Sequence, residues 1–376
     1  MDTCGNCGVP LKISTTLNWE SNGIISLESS PRNRMVFFES ESIDPLFKGI
    51  EELVGMAIEH LVVESRCRET KRYIERTYHV AEIISPDIRE ALARGGGSGG
   101  DMEDLEGKEG LLSVIRAVTD SAIDISRAYG YGDQKASELW ETGGAYPWRH
   151  QTVRSPYSLL FTAADNLGTV EAFEGVSMNV EYKETGKDTY TIDVSPGEHP
   201  IALSERLKRK RYDFKPGEIE FECCPECGIP LEVARRKWNL DEGVITDTTT
   251  GRRMAIFGPF SLDAILDDLE SELGEAIPET AIEAQRRYIK SAWGDDKWNR
   301  DGTTFQHMVA LRGLGNLKSF QGDKNHVSVH IQNSCLHLPM VGATQALVEL
   351  AYGVENTRYE WDLTEDGDLM ITVIVR

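Results

Sequence analysis

The sequence lacks a long hydrophobic run and an excess of positive charge, and each absence argues against a class of protein. No apolar stretch approaches the length of a membrane-spanning helix, and we expect no signal peptide ahead of Cys4. Lysine and arginine number 40 against 62 aspartate and glutamate residues, which gives a formal net charge of −22. Because phosphate binding needs a positive field, this charge disfavours nucleic acid as a partner.

The short motifs that mark several enzyme classes are also missing. The sequence holds no Gly-x-Ser-x-Gly elbow, no phosphate-binding loop and no dinucleotide fingerprint. A glycine-rich run at 95–100 does not qualify, because no β-rich segment leads into it; its composition is that of a flexible linker. The sequence therefore names no catalytic residue and leaves open whether the protein is an enzyme.

Cysteine is scarce, but four of the seven cysteines form two matching Cys-x2-Cys knuckles. One knuckle holds Cys4 and Cys7, and the other holds Cys224 and Cys227. A structural zinc takes four ligands in a tetrahedron, and each knuckle supplies two thiolates from one tight turn. The simplest completion is one four-cysteine zinc site assembled from both knuckles. Pairing of knuckles between two chains of a homodimer would satisfy the same chemistry.

The odd number of cysteines and their metal-type spacing favour a reducing cytoplasm over a disulfide framework. We expect Cys67 and Cys335 to be small buried apolar residues. Cys223 adjoins a predicted ligand and is interpreted as a bystander that could substitute in the site.

The knuckles begin the two copies of an internal repeat. The stretch from Arg34 to Phe38 matches the stretch from Arg253 to Phe257. Further on, the sequence Arg-Tyr-Ile that ends at Ile74 occurs again ending at Ile289. The predicted domains are a first repeat at 1–200, with an insertion at about 80–110, a basic linker at 201–222 and a second repeat at 223–376. The linker carries the one basic cluster of the chain, which we interpret as solvated: Arg206, Lys208, Arg209, Lys210 and Arg211.

Each copy reads as a knuckle, a β-hairpin, helices, a strand, a further helix and a closing hairpin. The first hairpin is expected over 11–20 and 24–28, and a long helix is expected over 111–129 with a glycine cap at Gly130. This order predicts an α+β fold rather than a doubly wound parallel sheet. We expect two similar α+β units that form a pseudo-twofold internal dimer joined by the small four-cysteine site.

The second half of each copy resembles the 4-vinyl reductase domain family, a small ligand-binding α+β module. The similarity is carried by a long helix that runs into Gly130-Tyr131-Gly132 or Gly313-Leu314-Gly315, a strand with a short polar break, an apolar helix that ends in glycine, and a closing hairpin. The resemblance covers roughly 111–194 and 305–375. It implies a pocket for a small hydrophobic molecule and no fixed reaction. Family members often carry cysteines in the last hairpin, and this chain has none there.

Other residues offer weaker candidates. Trp140, Tyr146 and Trp148 flank a predicted strand, where they could line an apolar pocket or belong to the core. His326 and His330 alternate on one face of another predicted strand, with His337 beyond it. They could bind a metal, but the pattern favours solvent-facing histidines on a half-buried strand, because the first copy has no matching trio.

These observations predict a cytoplasmic zinc-binding protein that binds or senses a small hydrophobic molecule, or that acts as an accessory subunit. The first alternative is an electron-transfer or metalloenzyme subunit, because the knuckles also resemble those of rubredoxin, which holds a redox iron. The second alternative is an assembly or scaffold factor whose acidic surface binds a protein partner.

Overall fold

The computed structural model describes residues 1–80, 84, 108–203, 212–293, 302–323 and 325–375. The glycine run at 95–100, most of the predicted insertion and the basic cluster of the linker lie outside these residues. Helices occur together with sheets in which neighbouring strands pair antiparallel, so the predicted α+β class is confirmed. Within the described ranges, no helix combines the length and the apolar character needed to cross a bilayer.

Two compact units divide the chain, and each draws on both predicted repeats. Unit 1 contains Met1–Ile58, Glu205–Lys237 and Thr246–Arg376. Unit 2 contains Glu59–Ser204 and Trp238–Ile245. The repeat boundaries given above remain predictions.

Unit 1 contains two antiparallel sheets and most of the helices. One sheet has the strand order β1-β2-β3-β10-β9-β8, and the other has the order β11-β12-β14-β13. The residues of β9 (Val244–Asp247) and of β8 (Arg236–Asn239) are divided between the two units. The other strands are β1 (Leu17–Trp19), β2 (Ile25–Leu27), β3 (Ser30–Glu39), β10 (Arg253–Phe257), β11 (Asn316–Gly322), β12 (His326–Gln332), β13 (Arg358–Leu363) and β14 (Leu369–Ile374). The helices are α1 (Leu11–Thr16), α2 (Ile43–Val54), α7 (Leu231–Ala234), α8 (Pro259–Leu273), α9 (Ile277–Trp293), α10 (Gly302–Leu311) and α11 (His337–Tyr352).

Unit 2 contains one four-stranded antiparallel sheet with the order β4-β5-β7-β6. Its strands are β4 (Asp133–Ala136), β5 (His150–Arg154), β6 (Met178–Gly186) and β7 (Thr189–Pro196). Its helices are α3 (Glu59–Thr77), α4 (Lys108–Tyr129), the short α5 (Leu139–Thr142) and α6 (Leu159–Glu174). The predicted long helix is therefore confirmed as α4, and Gly130 follows it with a left-handed φ of 85°.

The first hairpin differs from the prediction in its opening residues. Strand pairing begins at Leu17, opposite Leu27, whereas the six residues before it form helix α1. The hydroxyls of Thr15 and Thr16 donate to the carbonyls of Leu11 and Lys12, at 2.9 and 2.6 Å. These bonds favour a helical turn over the extended chain that β-branched residues suggest.

The centre of the first sheet pairs a strand of one repeat with the matching strand of the other. Phe37 of β3 lies opposite Ile256 of β10, and these two residues occupy the same position in the two repeats. Val36 lies opposite Phe257, and Phe38 lies opposite Ala255. All these side chains are buried. Exchanging the two matching strands therefore leaves the pairing of repeat positions unchanged.

In unit 1 the first hairpin contacts the Gly-x-Gly turn of the second repeat. The Trp19 indole Nε1 donates to the Leu311 carbonyl at 2.8 Å, and the Gly315 amide donates to the Gly23 carbonyl at 3.1 Å. A Cβ on Gly23 would lie 2.1 Å from the Gly315 carbonyl oxygen, so this approach requires glycine.

Unit 2 repeats this contact with the roles of the two copies exchanged. The Trp238 indole Nε1 donates to the Ala128 carbonyl at 3.1 Å, and the Gly132 amide donates to the Gly243 carbonyl at 2.8 Å. Each hairpin is thus bound to the module of the other repeat, and each of these contacts lies within one unit.

Candidate metal centre

Both knuckles fold into the same turn. The Cys4 amide donates to the Val9 carbonyl at 2.8 Å, and the Gly8 amide donates back to the Cys4 carbonyl at 2.9 Å. Gly8 has a φ of 74°, which lies in the left-handed region that favours glycine. This turn closes the chain tightly enough for both sulfurs of the knuckle to point to one side.

The second knuckle has matching geometry. The Cys224 amide donates to the Ile229 carbonyl at 2.8 Å, the Gly228 amide donates to the Cys224 carbonyl at 2.9 Å, and Gly228 has a φ of 76°. The glycine that follows each second cysteine in the sequence is therefore the residue that makes the turn possible.

The two knuckles bring all four sulfurs together within unit 1. Cys4 Sγ lies 3.8 Å from Cys224 Sγ, Cys7 Sγ lies 3.4 Å from Cys227 Sγ, and all four lie within 4.8 Å of one another. Sulfurs bound at about 2.3 Å to a tetrahedral zinc are about 3.8 Å apart. The cluster therefore has the dimensions of a tetrahedral thiolate site, and it could hold a metal ion.

The sulfur distances also exclude disulfide bonds as the reason for this approach. A disulfide needs sulfurs about 2.05 Å apart, and all seven cysteines are free thiols. Cys4 and Cys224 are buried, while Cys7 and Cys227 are half-buried, so the cluster is screened on one side and reachable on the other. The predicted meeting of Cys4 and Cys7 with Cys224 and Cys227 is present, and it is formed within one chain, a point that the sequence left open. The bound metal itself stays a prediction.

The thiols have unequal pKa values. Backbone N–H groups, above all that of Cys227, lower the pKa of Cys224 to about 6, and the Asn6 side chain contributes in the same direction. Burial raises the pKa of Cys7 to about 12, and burial also raises the pKa of Cys227. Cys224 is thus the readiest thiolate, and a cation at the centre would favour deprotonation of the others.

Two residues between the cysteines connect one knuckle to the other. The Asn6 side-chain amide donates to Cys224 Sγ at 3.3 Å, and the Gly5 amide donates to Glu226 Oε1 at 3.3 Å. Sequence reasoning missed both roles, because Asn6 and Glu226 occupy the variable positions of the Cys-x2-Cys pattern. Hydrogen bonds of this kind orient the ligands of a metal and tune its properties.

The other three cysteines lie outside the sulfur cluster. Cys67 and Cys335 are buried, and burial raises the pKa of each thiol, as expected for inert core residues. Cys223 is exposed, and its Sγ donates to the Phe221 carbonyl at 3.4 Å.

The histidines of β12 do not join a comparable group. Strand β12 buries Val327, Val329 and Ile331, so the predicted alternation is present. His330 Nε2 lies 3.0 Å from Asp368 Oδ2, and His326 Nδ1 lies 3.2 Å from Asp323 Oδ1. In the part of the chain that the structure describes, the four cysteines are the one group with the geometry of a metal site.

The aromatic candidates lie in the core of unit 2. Tyr146 and Trp148 are buried with ring centroids 5.6 Å apart, and Trp140 packs against the same cluster. The Trp148 indole donates to Glu174 Oε1 at 2.9 Å, and Arg149 donates to both oxygens of that carboxylate. These contacts give the rings a packing role, and whether they also contact a ligand stays a prediction.

A small apolar cavity lies elsewhere in unit 2. Its walls come from residues just after α3, from α4 and from α6, and include Tyr78, Val80, Ile115, Val118 and Phe173. The three aromatic candidates do not line it.

Comparisons of the chain with protein-family models, with curated proteins and with solved structures give no match.

Proposed function

We propose that this chain is a metal-clamped tandem-repeat protein in which Cys4, Cys7, Cys224 and Cys227 bind one zinc ion. The observation that carries the proposal is the sulfur spacing of 3.4 and 3.8 Å between knuckles that are 220 residues apart in sequence. Four thiolates fill the tetrahedron and leave no open position for a substrate, so the site is structural. Zinc is preferred over iron because no second redox motif accompanies the knuckles.

The energies favour a clamp. Closing a flexible loop of 220 residues costs about 5 kcal/mol of chain entropy, since the cost grows only as the logarithm of the length. Structural zinc binding in small domains contributes about 10 kcal/mol or more. The metal therefore offsets the closure and leaves a net gain that holds the two repeats together.

A pseudo-twofold internal dimer joined by the clamp is part of this proposal. Its support is the reciprocal register of β3 and β10, in which Phe37 lies opposite Ile256. The exchanged contacts of Trp19 and Trp238 support it in the same way, because each indole binds a carbonyl of the other repeat.

Binding of a small hydrophobic molecule, as the resemblance to 4-vinyl reductase domains implies, is the second candidate. It rests on the resemblance alone, because the apolar cavity lined by Tyr78 and Phe173 has a volume of about 10 Å³, no more than one water molecule needs, and would have to open to admit a ligand. Mass spectrometry of the denatured protein after native purification tests it: a co-purified apolar molecule that Val118→Phe removes would support it, and a ligand-free protein would not.

Metal analysis tests the clamp. We expect about one zinc per chain in a colourless protein, loss of the metal in Cys224→Ser, and retention in Cys223→Ser. Cys223 is the matched control because it adjoins Cys224 in sequence, is exposed and lies outside the sulfur cluster. A red protein that contains iron would favour the electron-transfer alternative, and metal content unchanged in Cys224→Ser would rule out the clamp.

A further inference from the structure

His199 lies between two buried carboxylates in unit 2. It belongs to the segment 197–203, which follows β7. Its Nε2 lies 2.6 Å from Glu171 Oε1, and its Nδ1 is in close contact with Glu64 Oε2. The side chains of Glu64 and Glu171 are 7% and 2% exposed, so water cannot replace these contacts readily. Glu64 comes from α3 and Glu171 from α6, so one imidazole joins the segment to two helices.

The geometry requires a shared proton. A neutral imidazole has one N–H donor and one acceptor nitrogen, and an ionised carboxylate only accepts. A ring nitrogen without a proton repels a carboxylate oxygen, so both close contacts are attractive only if the His199–Glu64 pair holds one proton more than a neutral imidazole and a carboxylate. Burial raises the pKa of Glu64, while His199 opposes this shift, which is consistent with a proton held by the pair.

The surrounding charges balance only when that proton is present. Lys71 Nζ lies 3.1 Å from Glu171 Oε2, and the Met178 amide donates to Glu171 Oε1 at 2.9 Å. Two further titratable groups lie near: burial keeps Cys67 a neutral thiol, and Asp165 is paired with Arg66 at 2.7 Å, so neither changes the balance. The two carboxylates and Lys71 sum to one negative charge, and the additional proton brings the cluster to neutrality. Loss of the proton would leave an uncompensated buried charge.

The second repeat neutralises the corresponding carboxylate without a histidine. Glu349 lies near the end of α11 as Glu171 lies near the end of α6, and Arg286 and Lys290 of α9 donate to it at 3.0 and 2.8 Å. Arginine and lysine keep their charge at neutral pH. Proton-dependent compensation is therefore a property of unit 2.

The segment 197–203 has few other attachments. The Gly197 amide donates to the Ser177 carbonyl at 3.4 Å. Beyond that residue, the polar contacts between this segment and the described part of the chain are those of His199. Ile201 and Leu203 are half-buried, so the polar attachment of the segment depends on His199 while apolar packing adds to it.

We propose that the His199–Glu64 pair is a proton-dependent latch that holds segment 197–203 on α3 and α6. The latch is closed when the pair holds its additional proton. It opens as the pH rises and the pair loses that proton. This device is independent of the metal clamp.

Limited proteolysis of the full chain tests the latch. The measurement compares the rate of cleavage within 197–203 at pH 6 and pH 9, corrected for the activity of the protease at each pH. We expect protection from cleavage to fall at least tenfold on going to pH 9, while β7 stays uncut. His199→Gln should show the low protection at both pH values. His150→Gln is the matched control, because His150 Nδ1 lies 2.7 Å from Asp193 on the exposed face of the sheet.

Glu64→Gln tests the same idea in the opposite direction. A glutamine amide donates to Nδ1 of a neutral imidazole, so this variant should keep segment 197–203 protected at pH 9. The proposal would be overturned if the segment of the unmodified chain were equally protected at both pH values. It would also be overturned if the segment of the His199→Gln variant were as well protected as that of the unmodified chain at pH 6.

Discussion

Replacement of Gly168 by alanine tests how closely α3 and α6 pack in unit 2. A Cβ at position 168 would lie 2.6 Å from the Cys67 carbonyl oxygen, 2.9 Å from Thr70 Cβ and 3.0 Å from the Lys71 amide nitrogen. Real Cβ atoms do not approach other atoms more closely than about 3.0 Å. Two of the three obstacles are backbone atoms of α3, so the helices must separate because no side chain can move away.

The expected loss of stability follows from two opposing terms. Alanine in a helix interior is about 1 kcal/mol more favourable than glycine. Overpacking of a close-packed contact costs about 1–3 kcal/mol. Because the obstacle is backbone, we take the upper part of that range and expect Gly168→Ala to lower the free energy of unfolding by about 2 kcal/mol.

Urea unfolding followed by circular dichroism measures this change, with Gly110→Ala as the matched control. Gly110 lies in α4 of the same unit, and a Cβ there meets nothing within 4 Å. The control should stabilise the protein by up to about 1 kcal/mol, since only the propensity term applies. A Gly168→Ala variant as stable as the control would refute the close approach of α3 and α6.

Two further predictions concern carboxylates of unit 1. Glu349→Gln should lower the free energy of unfolding by about 3 kcal/mol in denaturant titrations, because it leaves Arg286 and Lys290 without a buried counter-charge. Burial alone would raise the pKa of Glu349, but Lys290, Arg286 and backbone contacts lower it overall. The stabilisation that Glu349 contributes is therefore fully present at pH values above the usual pKa of a glutamate. It is lost as the pH falls through the pKa of Glu349 in the folded protein. Lys215 holds the pKa of Asp366 at about 2, so carbon NMR of that carboxyl should show ionisation persisting well below pH 4.

The candidate site could be predicted from the sequence to the level of its cysteines. Ligand spacing is a local signal, and two matched half-sites imply each other, so the sequence predicts that Cys4 and Cys7 meet Cys224 and Cys227. Whether they meet within one chain or between two chains could not be predicted. The contacts of Asn6 and Glu226 could not be predicted, because each depends on the position of the opposite knuckle. Spacing within one turn carries no information about a neighbouring turn 220 residues away.

The fold shows the same division between local and distant signals. Helical periodicity located α4, and a left-handed glycine marked its end at Gly130. Periodicity failed over 11–16, where threonine hydroxyls bond to the backbone of the preceding turn. Periodicity also could not predict which module each hairpin contacts, because both copies offer the indoles of Trp19 and Trp238 the same type of carbonyl.

The position of the sulfur cluster explains what a clamp would do. Shortly after Cys7 come α1 and β1, and shortly after Cys227 come α7 and β8, so a metal bound by the four sulfurs would fix the chain where both hairpins begin. The β3–β10 ladder has its own hydrogen bonds and the buried side chains of Phe37 and Ile256, which do not depend on a metal. Removal of the metal should therefore loosen the starts of the hairpins while the ladder persists. A bound metal would thus act on how firmly the two repeats are held together, while the fold of unit 1 rests on its core.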